Sequence, residues 1–362
     1  MDLIHPHTKA DVAEALRRAS AERTRLLVVG GRRHIDKGNP TEIDAELWTT
    51  QLDRLVAYEP AEMIAVVEAG MRVGELARIL REGHQEWPVD APPDATVGGV
   101  IAAGASSTRR LRVGAVRDTV IEAEVVTGDG RAVRSGARTV KNVTGFDLHK
   151  LIIGSLGTLA VIVQVALKLR PLPESTVTAS FSSEGDGLEL GSALLRAVPT
   201  AAAVIASPSR VDVRYEGWAD EVREMAEVGA SMAQRSTDVS DGTAFPSTSL
   251  SSEEREIVVE AAVPPSRVGA LVEGWGDWHA LIGVGIVWFR LDVEAEGAAD
   301  QVGGHLAEIR TRARRLGGIA PVIRGPGGLG DDPIPALEVH QRLKASFDPN
   351  GVLAPGRFWG GI

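Results

Sequence analysis

The sequence predicts an α+β protein of two domains, residues 1–172 and residues 173–362. Three observations carry that reading. The chain has 362 residues, more than one ordinary hydrophobic core organises. In the first half, short β-type runs alternate with helical periodicity, and one run ends in the glycine pair Gly30-Gly31. The second half reads strand, helix, strand, strand, helix, and then strand, helix, strand, strand, helix, strand. That order suits two ferredoxin-like units in one antiparallel sheet.

Taken in order, the elements justify themselves locally. Residues 8–20 repeat apolar side chains at helical spacing, with Val12, Ala15, Leu16 and Ala19 on one face and Thr8 as the N-cap. Arg25–Val29 is a short buried strand that runs into Gly30-Gly31. Strands are expected at Glu42–Trp48, Leu52–Tyr58 and Met63–Glu68, and a helix at Val73–Glu82. Thr96–Ala103 is small and glycine-rich and opens a short helix. Strands at Val120–Thr127 and Ala132–Arg134 flank Gly128-Asp129-Gly130, a hairpin turn signal. Asp147 is expected to cap a helix carrying Leu148 and Leu151. The run LAVIVQVALKL suits a central strand, and Pro171 and Pro173 end it at the domain boundary. Polar residues 236–253 read as a mobile loop, and no tandem repeat is visible.

Composition narrows the function. A 44% hydrophobic and 24% charged chain is globular rather than disordered. The net charge of -10 argues against nucleic acid as a partner, while a local basic cluster still suits a small anion. The absence of cysteine excludes disulfides, cysteine nucleophiles and cysteinyl iron–sulfur ligation. The N-terminus lacks the basic and apolar regions of a signal peptide. The uncharged run 151–167 is broken by Gly154, Gly157 and Gln164 and falls short of the ~20 apolar residues of a membrane span. No transmembrane segment and a cytoplasmic location are therefore expected.

Two segments suggest chemistry. In VVGGRRHIDKGNP, Val28–Pro40, a strand ends in two glycines, where backbone N–H groups can approach a phosphate. Arg32, Arg33 and His34 add charge-assisted donors, and the alternative is a solvated surface turn. The spacing is not the nicotinamide fingerprint GxGxxG. In PPDATVGGVIAAGASS, Pro92–Ser107, small residues allow a flat ring or phosphate against the backbone, or else a tightly packed helix. Further on come VGAVRD, VVTGDG, KNVTGFDLHKL and GSLGTLAVI, with polar Asp118 and Asn142 beside apolar strands, and finally DPNGVLAPGRF at Asp348–Phe358.

In order and spacing these segments resemble the FAD-binding domain of the vanillyl-alcohol oxidase/PCMH flavoprotein superfamily, and within it the E subunits of glycolate oxidase. The resemblance implies a PCMH-type FAD-binding domain of two α/β subdomains, followed by a ferredoxin-like substrate or cap domain whose C-terminal segment returns to the flavin. It implies that Gly30, Gly31, Arg32, Arg33 and His34 cradle the pyrophosphate of FAD. Thr96, Gly98, Gly99, Gly104 and Ser106 would line the path to the ring. Gly157, Thr158 and Val161 would contact the cofactor by backbone, and Arg357 would approach from the C-terminal segment. The sequence departs from the family pattern at Arg32 and Arg33, at Ser107-Thr108-Arg109 and at Ala354. With no cysteine, and with two arginines before His34, FAD is expected to be held non-covalently.

The implied reaction is oxidation of a small 2-hydroxy acid, glycolate or D-lactate, in company with a D-type flavoprotein subunit and an iron–sulfur subunit. Alternatives are a non-catalytic FAD-carrying accessory subunit and a single-chain oxidase of a larger alcohol or sugar. Arg290 and Arg324, at predicted strand ends, are candidates to hold a substrate carboxylate. His279, His305 and His340 are too widely spaced to suggest a metal site, and no residue stands out as the catalytic base. The tryptophans Trp218, Trp275, Trp278 and Trp288 divide between core and docking surface.

Overall fold

Thr8 begins the first helix as its spacing predicts. Its hydroxyl accepts from the Asp11 amide while the Asp11 carboxylate accepts from the Thr8 amide, a reciprocal cap for α1 (Lys9–Glu22). The computed structural model describes residues 2–105, 107–138, 147–235, 237–241, 256–292, 298–325 and 334–362. The chain divides into two units. One comprises Met1–Ala105, Ala115–Leu172 and Gly330–Ile362, and the other comprises Ser106–Gly114 and Pro173–Leu329.

Among the described residues, the first unit contains two larger sheets and one two-stranded pair, Gln85–Glu86 with Arg170–Pro171. β1 (Asp2–Ile4), β2 (Leu26–Val29) and β3 (Ala45–Trp48) form a parallel sheet in the order β1-β3-β2. β1 is too short to carry a periodicity and was not legible in the sequence. Next come β4 (Leu55–Glu59), β5 (Ile64–Glu68), helix α2 (Val73–Glu82), β6 (Gln85–Glu86) and α3 (Val97–Ala103). α4 (Arg110–Val113) belongs to the second unit. The chain then forms α5 (Val116–Thr119), β7 (Val120–Thr127), β8 (Ala132–Gly136), α6 (His149–Ile152), β9 (Ala160–Lys168) and β10 (Arg170–Pro171). The second sheet is antiparallel, in the order β4-β5-β9-β7-β8. β9 lies at its centre, which explains its charge-free interior: both of its edges are paired and its side chains from Ala160 to Val163 are buried. The N-cap of α6 is Leu148, with no side-chain cap, so Asp147 does not play the role its position suggested.

The second unit is one eight-stranded sheet. Its elements are β11 (Ser175–Ser182), α7 (Gly187–Ala197), β12 (Ala203–Ala206), β13 (Arg210–Gly217), α8 (Ala219–Ala233) and β14 (Thr237–Asp241), then β15 (Glu256–Ala262), α9 (Val268–Val272), β16 (Trp278–Leu281), β17 (Ile286–Asp292), α10 (Ala298–Arg315) and β18 (Val322–Arg324). The order β14-β11-β13-β12-β16-β17-β15-β18 is two ferredoxin-like halves joined through β12 and β16. β14 corrects one expectation. Residues 237–241, read as loop, pair antiparallel with β11, because a short polar edge strand needs apolar side chains on neither face. Residues 242–255 lie outside the described residues. The core of this unit fills one face of the sheet, with Phe181, Tyr215, Val259 and Phe289 packed against Leu194, Leu271 and Ile309 of the helices.

α11 (Leu337–Phe347) and the C-terminal segment belong to the first unit. The Leu26 amide donates to Val352 O at 2.7 Å and the Ala354 amide donates to Leu26 O at 2.8 Å. The segment thus continues the parallel sheet beyond β2.

Candidate functional site

β2 ends at Val29, and the loop that leaves it builds an open cleft in the first unit. Its lining includes Gly30, Gly31, Arg32, Arg33 and His34 from the loop, Thr96, Gly99 and Ala103 from the start and body of α3, Leu156, and Arg357 from the C-terminal segment. The sequence anticipated Gly30 to His34, Thr96, Gly99 and Arg357. It did not anticipate Ala95, Ala102, Ala103 or Leu156, apolar residues whose role depends only on where the chain places them.

Thr96 organises the cleft. It is the N-cap of α3, and its hydroxyl accepts from the Gly99 amide at 3.2 Å and from the Gly31 amide at 3.3 Å. One buried hydroxyl thereby ties the loop after β2 to the helix. The loop glycines are needed for this contact. A Cβ on Gly30 would stand 2.1 Å from Thr96 Oγ1, and one on Gly31 would stand 2.6 Å from Asp94 O. Their missing side chains admit neighbouring protein rather than a ligand, a reason that the sequence did not disclose.

Arg32 holds a left-handed backbone, φ +58°, where glycine is the easiest residue. Its guanidinium is paired with Glu46 and lies 5.1 Å from the ring centre of Trp48, whose Nε1 donates to the same carboxylate at 2.9 Å. Arg33 is paired with Asp94. Among the described residues, the backbone N–H groups of Arg32 and Arg33 have no hydrogen-bond acceptor. Arg357 donates to Ile35 O at 2.8 Å, and its Nε is buried with no partner. Burial lowers its pKa, and Asp36 opposes that shift.

Several other residues named from the sequence lie outside the cleft lining. Gly98 is packed against Ala69, Gly104 ends α3 with φ +57°, and Gly157 faces Val28. Thr158 is buried, with its hydroxyl on Ser155 O and its carbonyl on Lys344 Nζ. Val161 is a core residue of β9. Ser106 and Asn142 lie outside the described residues.

In the second unit, the sheet face opposite the main core carries a smaller apolar cluster of Ala203, Ile205, Val258, Leu281, Ile286 and Trp288, with polar side chains around it. Arg290 and Arg324 stand opposite Val258 from its two neighbouring strands, so both project from the same face. Arg290 lies inside β17 rather than at its end, and its Nε is buried without a partner. His279 faces Trp288 across the β16–β17 pair, and its Nδ1 is likewise buried and unpartnered. Burial, then Arg290, lower the His279 pKa against opposing effects of Asp277 and Asp212. Asp212 accepts from Ser180 Oγ and Arg210 Nε, each at 2.6 Å. His305 packs edge-on to Trp275, and His340 stacks on Phe358. Among the described residues no three His, Asp or Glu side chains converge on a metal-sized site.

The donor set of the cleft fits FAD: unbonded backbone amides at the loop, a buried guanidinium, and a small-residue wall along α3. Comparison with known proteins agrees. The FAD binding domain family matches residues 3–136. The glycolate oxidase subunit GlcE of Escherichia coli (strain K12) is 26% identical over 356 residues, which cover 96% of each chain. The glycolate oxidase subunit GlcD of Bacillus subtilis (strain 168) is 24% identical, covering 99% of this chain and 88% of its own length. The D-lactate dehydrogenase of Archaeoglobus fulgidus is 25% identical, covering 98% and 90%. In fold, the chain resembles alkyldihydroxyacetonephosphate synthase, with a TM-score of 0.69 at 15% identity over 98% of this chain and 75% of that one. No helix among the described residues is long and apolar enough to cross a membrane. With its match to the FAD binding domain family and its ferredoxin-like second unit, the chain has the PCMH/vanillyl-alcohol oxidase type of fold.

Proposed function

We propose that this chain is an FAD-linked oxidoreductase subunit that takes part in the oxidation of a small 2-hydroxy acid, glycolate or D-lactate, to the 2-oxo acid. The observation that carries the reading is the cleft beside Thr96, with its two unbonded amides and buried Arg357. The names of the relatives supply the substrate class. FAD is held non-covalently, with Gly30 to His34, Thr96, Gly99 and Arg357 around it. The flavin supplies the hydride-accepting chemistry. The chain contributes orientation through backbone donors and the Thr96 tie, and a cation for the substrate carboxylate at Arg290 or Arg324. The reading includes a cytoplasmic location.

A second reading follows from the match to GlcE along 96% of each chain, since that relative is one subunit of its enzyme. On this reading the chain carries FAD within a complex that also holds a D-type flavoprotein and an iron–sulfur subunit. Anaerobic mixing of the FAD-loaded chain with glycolate and with D-lactate separates the two. A stand-alone dehydrogenase bleaches its flavin band near ~450 nm within one turnover. The subunit reading expects little bleaching until the partner subunits are added. Acid precipitation that leaves the yellow colour in the pellet would rule out non-covalent binding and point to His34.

A further inference from the structure

The sequence offers Arg32 and Arg33 as the cations for a phosphate, and the structure has already used both. Arg32 is paired with Glu46 and Arg33 with Asp94, and their side chains are 42% and 52% exposed. Each presents a neutral pair to the cleft rather than a free charge, and a pair so exposed is a weak anchor.

Arg357 is different in each respect. It is only 7% exposed. Among the described residues no carboxylate stands within ion-pair distance of it, Asp36 acting only from farther away, and its one side-chain hydrogen bond runs from Nη2 to Ile35 O. Its Nε is buried and unpartnered, and its side chain lines the same cleft as the unbonded Arg32 and Arg33 amides. It is also fixed in place. The Asn39 amide donates to Arg357 O at 2.7 Å, the Arg357 amide donates to Ala354 O at 3.1 Å, and Asn39 Nδ2 donates to Gly356 O and Phe358 O. A buried guanidinium without a counter-ion is strongly destabilising, and it persists where a ligand supplies the missing charge. A guanidinium edge suits a phosphate oxygen pair better than an ammonium does.

We propose that Arg357 is the anion subsite of the cleft and that its ligand is the pyrophosphate of the bound cofactor. The inference rests on the FAD reading above but makes a separate claim about charge. The anchor comes from the C-terminal segment, while the two loop arginines hold the loop in shape.

The test compares the full-length wild type with Arg357→Met, Arg357→Lys and Arg33→Gln, by calorimetric titration with FAD and by thermal melting with and without inorganic pyrophosphate. Arg357→Met is expected to melt above the wild type without ligand, since it removes a buried charge that has no ion-pair partner, and to lose at least about tenfold in FAD affinity. Arg357→Lys, which keeps the charge without the fork, falls between. Arg33→Gln loses no more than about threefold. Pyrophosphate should raise the wild-type melting temperature and leave that of Arg357→Met unmoved. An Arg357→Met protein that does not fold, melts below the wild type without ligand, or binds FAD at wild-type affinity overturns the proposal. A wild type that takes up no FAD yet is stabilised by pyrophosphate through Arg357 keeps the subsite and ends the FAD reading. A wild type that responds to neither ligand ends both.

Discussion

Thr96 shows how one side chain can set the shape of a binding loop. Its hydroxyl is a single acceptor for two amides, from Gly31 and Gly99, on segments far apart in sequence. Replacing it with the near-isosteric valine leaves both amides without that acceptor in a site where Thr96 itself is 1% exposed. Thr96→Val should cost about 1–3 kcal/mol in urea unfolding, and Thr96→Ser should restore most of it. Equal stability of Thr96→Val and the wild type would show that the tie contributes nothing. Arg32 makes a complementary point. Its left-handed backbone costs about 1–2 kcal/mol, and the Glu46 pair and the Trp48 ring offset that cost. None of these partners was legible in the sequence. Glu46 and Trp48 lie on β3, and Asp94 lies 61 positions beyond Arg33. The glycine pair was legible because a strand running into Gly-Gly is a local signal, whereas the partner of each arginine is set by tertiary packing.

At the scale of elements, the C-terminal segment is held by one buried ion pair. Lys344 on α11 donates to Asp348 Oδ2 at 2.7 Å, to Thr158 O at 2.7 Å and to Leu353 O at 2.6 Å. Asp348 in turn accepts the Val352 and Leu353 amides. Burial lowers the Lys344 pKa, and Asp348 draws it back. Lys344→Met would leave a fully buried carboxylate without its cation and two carbonyls without a donor. The expected loss is about 3–5 kcal/mol in denaturant unfolding, with weaker FAD binding because the segment carrying Arg357 loosens. A change below 1 kcal/mol would mean that the backbone bonds to Leu26 suffice. The family's closing motif made this segment legible, but the Lys344 tie was hidden, because an exposed amphipathic helix is the ordinary reading of LEVHQRLKASF. The edge strand β14 was hidden for the opposite reason: its sequence, TDVSD, has no apolar alternation to betray it.

Over the whole molecule, each unit holds a histidine whose pKa burial lowers, His149 buried and His279 half-buried. His149 in the first unit lies beside Ser135, with Nδ1 3.2 Å from the hydroxyl and Nε2 buried without a partner. His279 in the second pairs with Trp288 across β16 and β17, with Nδ1 buried without a partner. Burial depresses both pKa values below the ordinary 6.5. The unfolded chain then binds protons at a pH where the folded chain does not, so stability is full above about 6.5 and falls as the pH drops below it. Melts between pH 7.5 and 5 should show this slope, and His149→Gln and His279→Gln should each flatten it in part. A slope unchanged in both variants would assign the acid sensitivity elsewhere. The fold class of both units was legible because order and periodicity are properties of the chain itself. The crossing of 106–114 into the second unit was not, since it depends on where α4 packs.

The seam of the second sheet has one more consequence. β12 and β16 occupy the same position in their respective halves, and they meet antiparallel through two residue pairs, Ile205 with Leu281 and Ala206 with Ala280. Antiparallel pairing of equivalent strands is what a two-fold axis imposes on two identical subunits. The unit therefore repeats one strand-and-helix order about a pseudo-two-fold axis at this seam. One half carries the longer α7, and the other carries the short α9 and His279. The backbone thus carries a symmetry that no tandem repeat in the sequence displays.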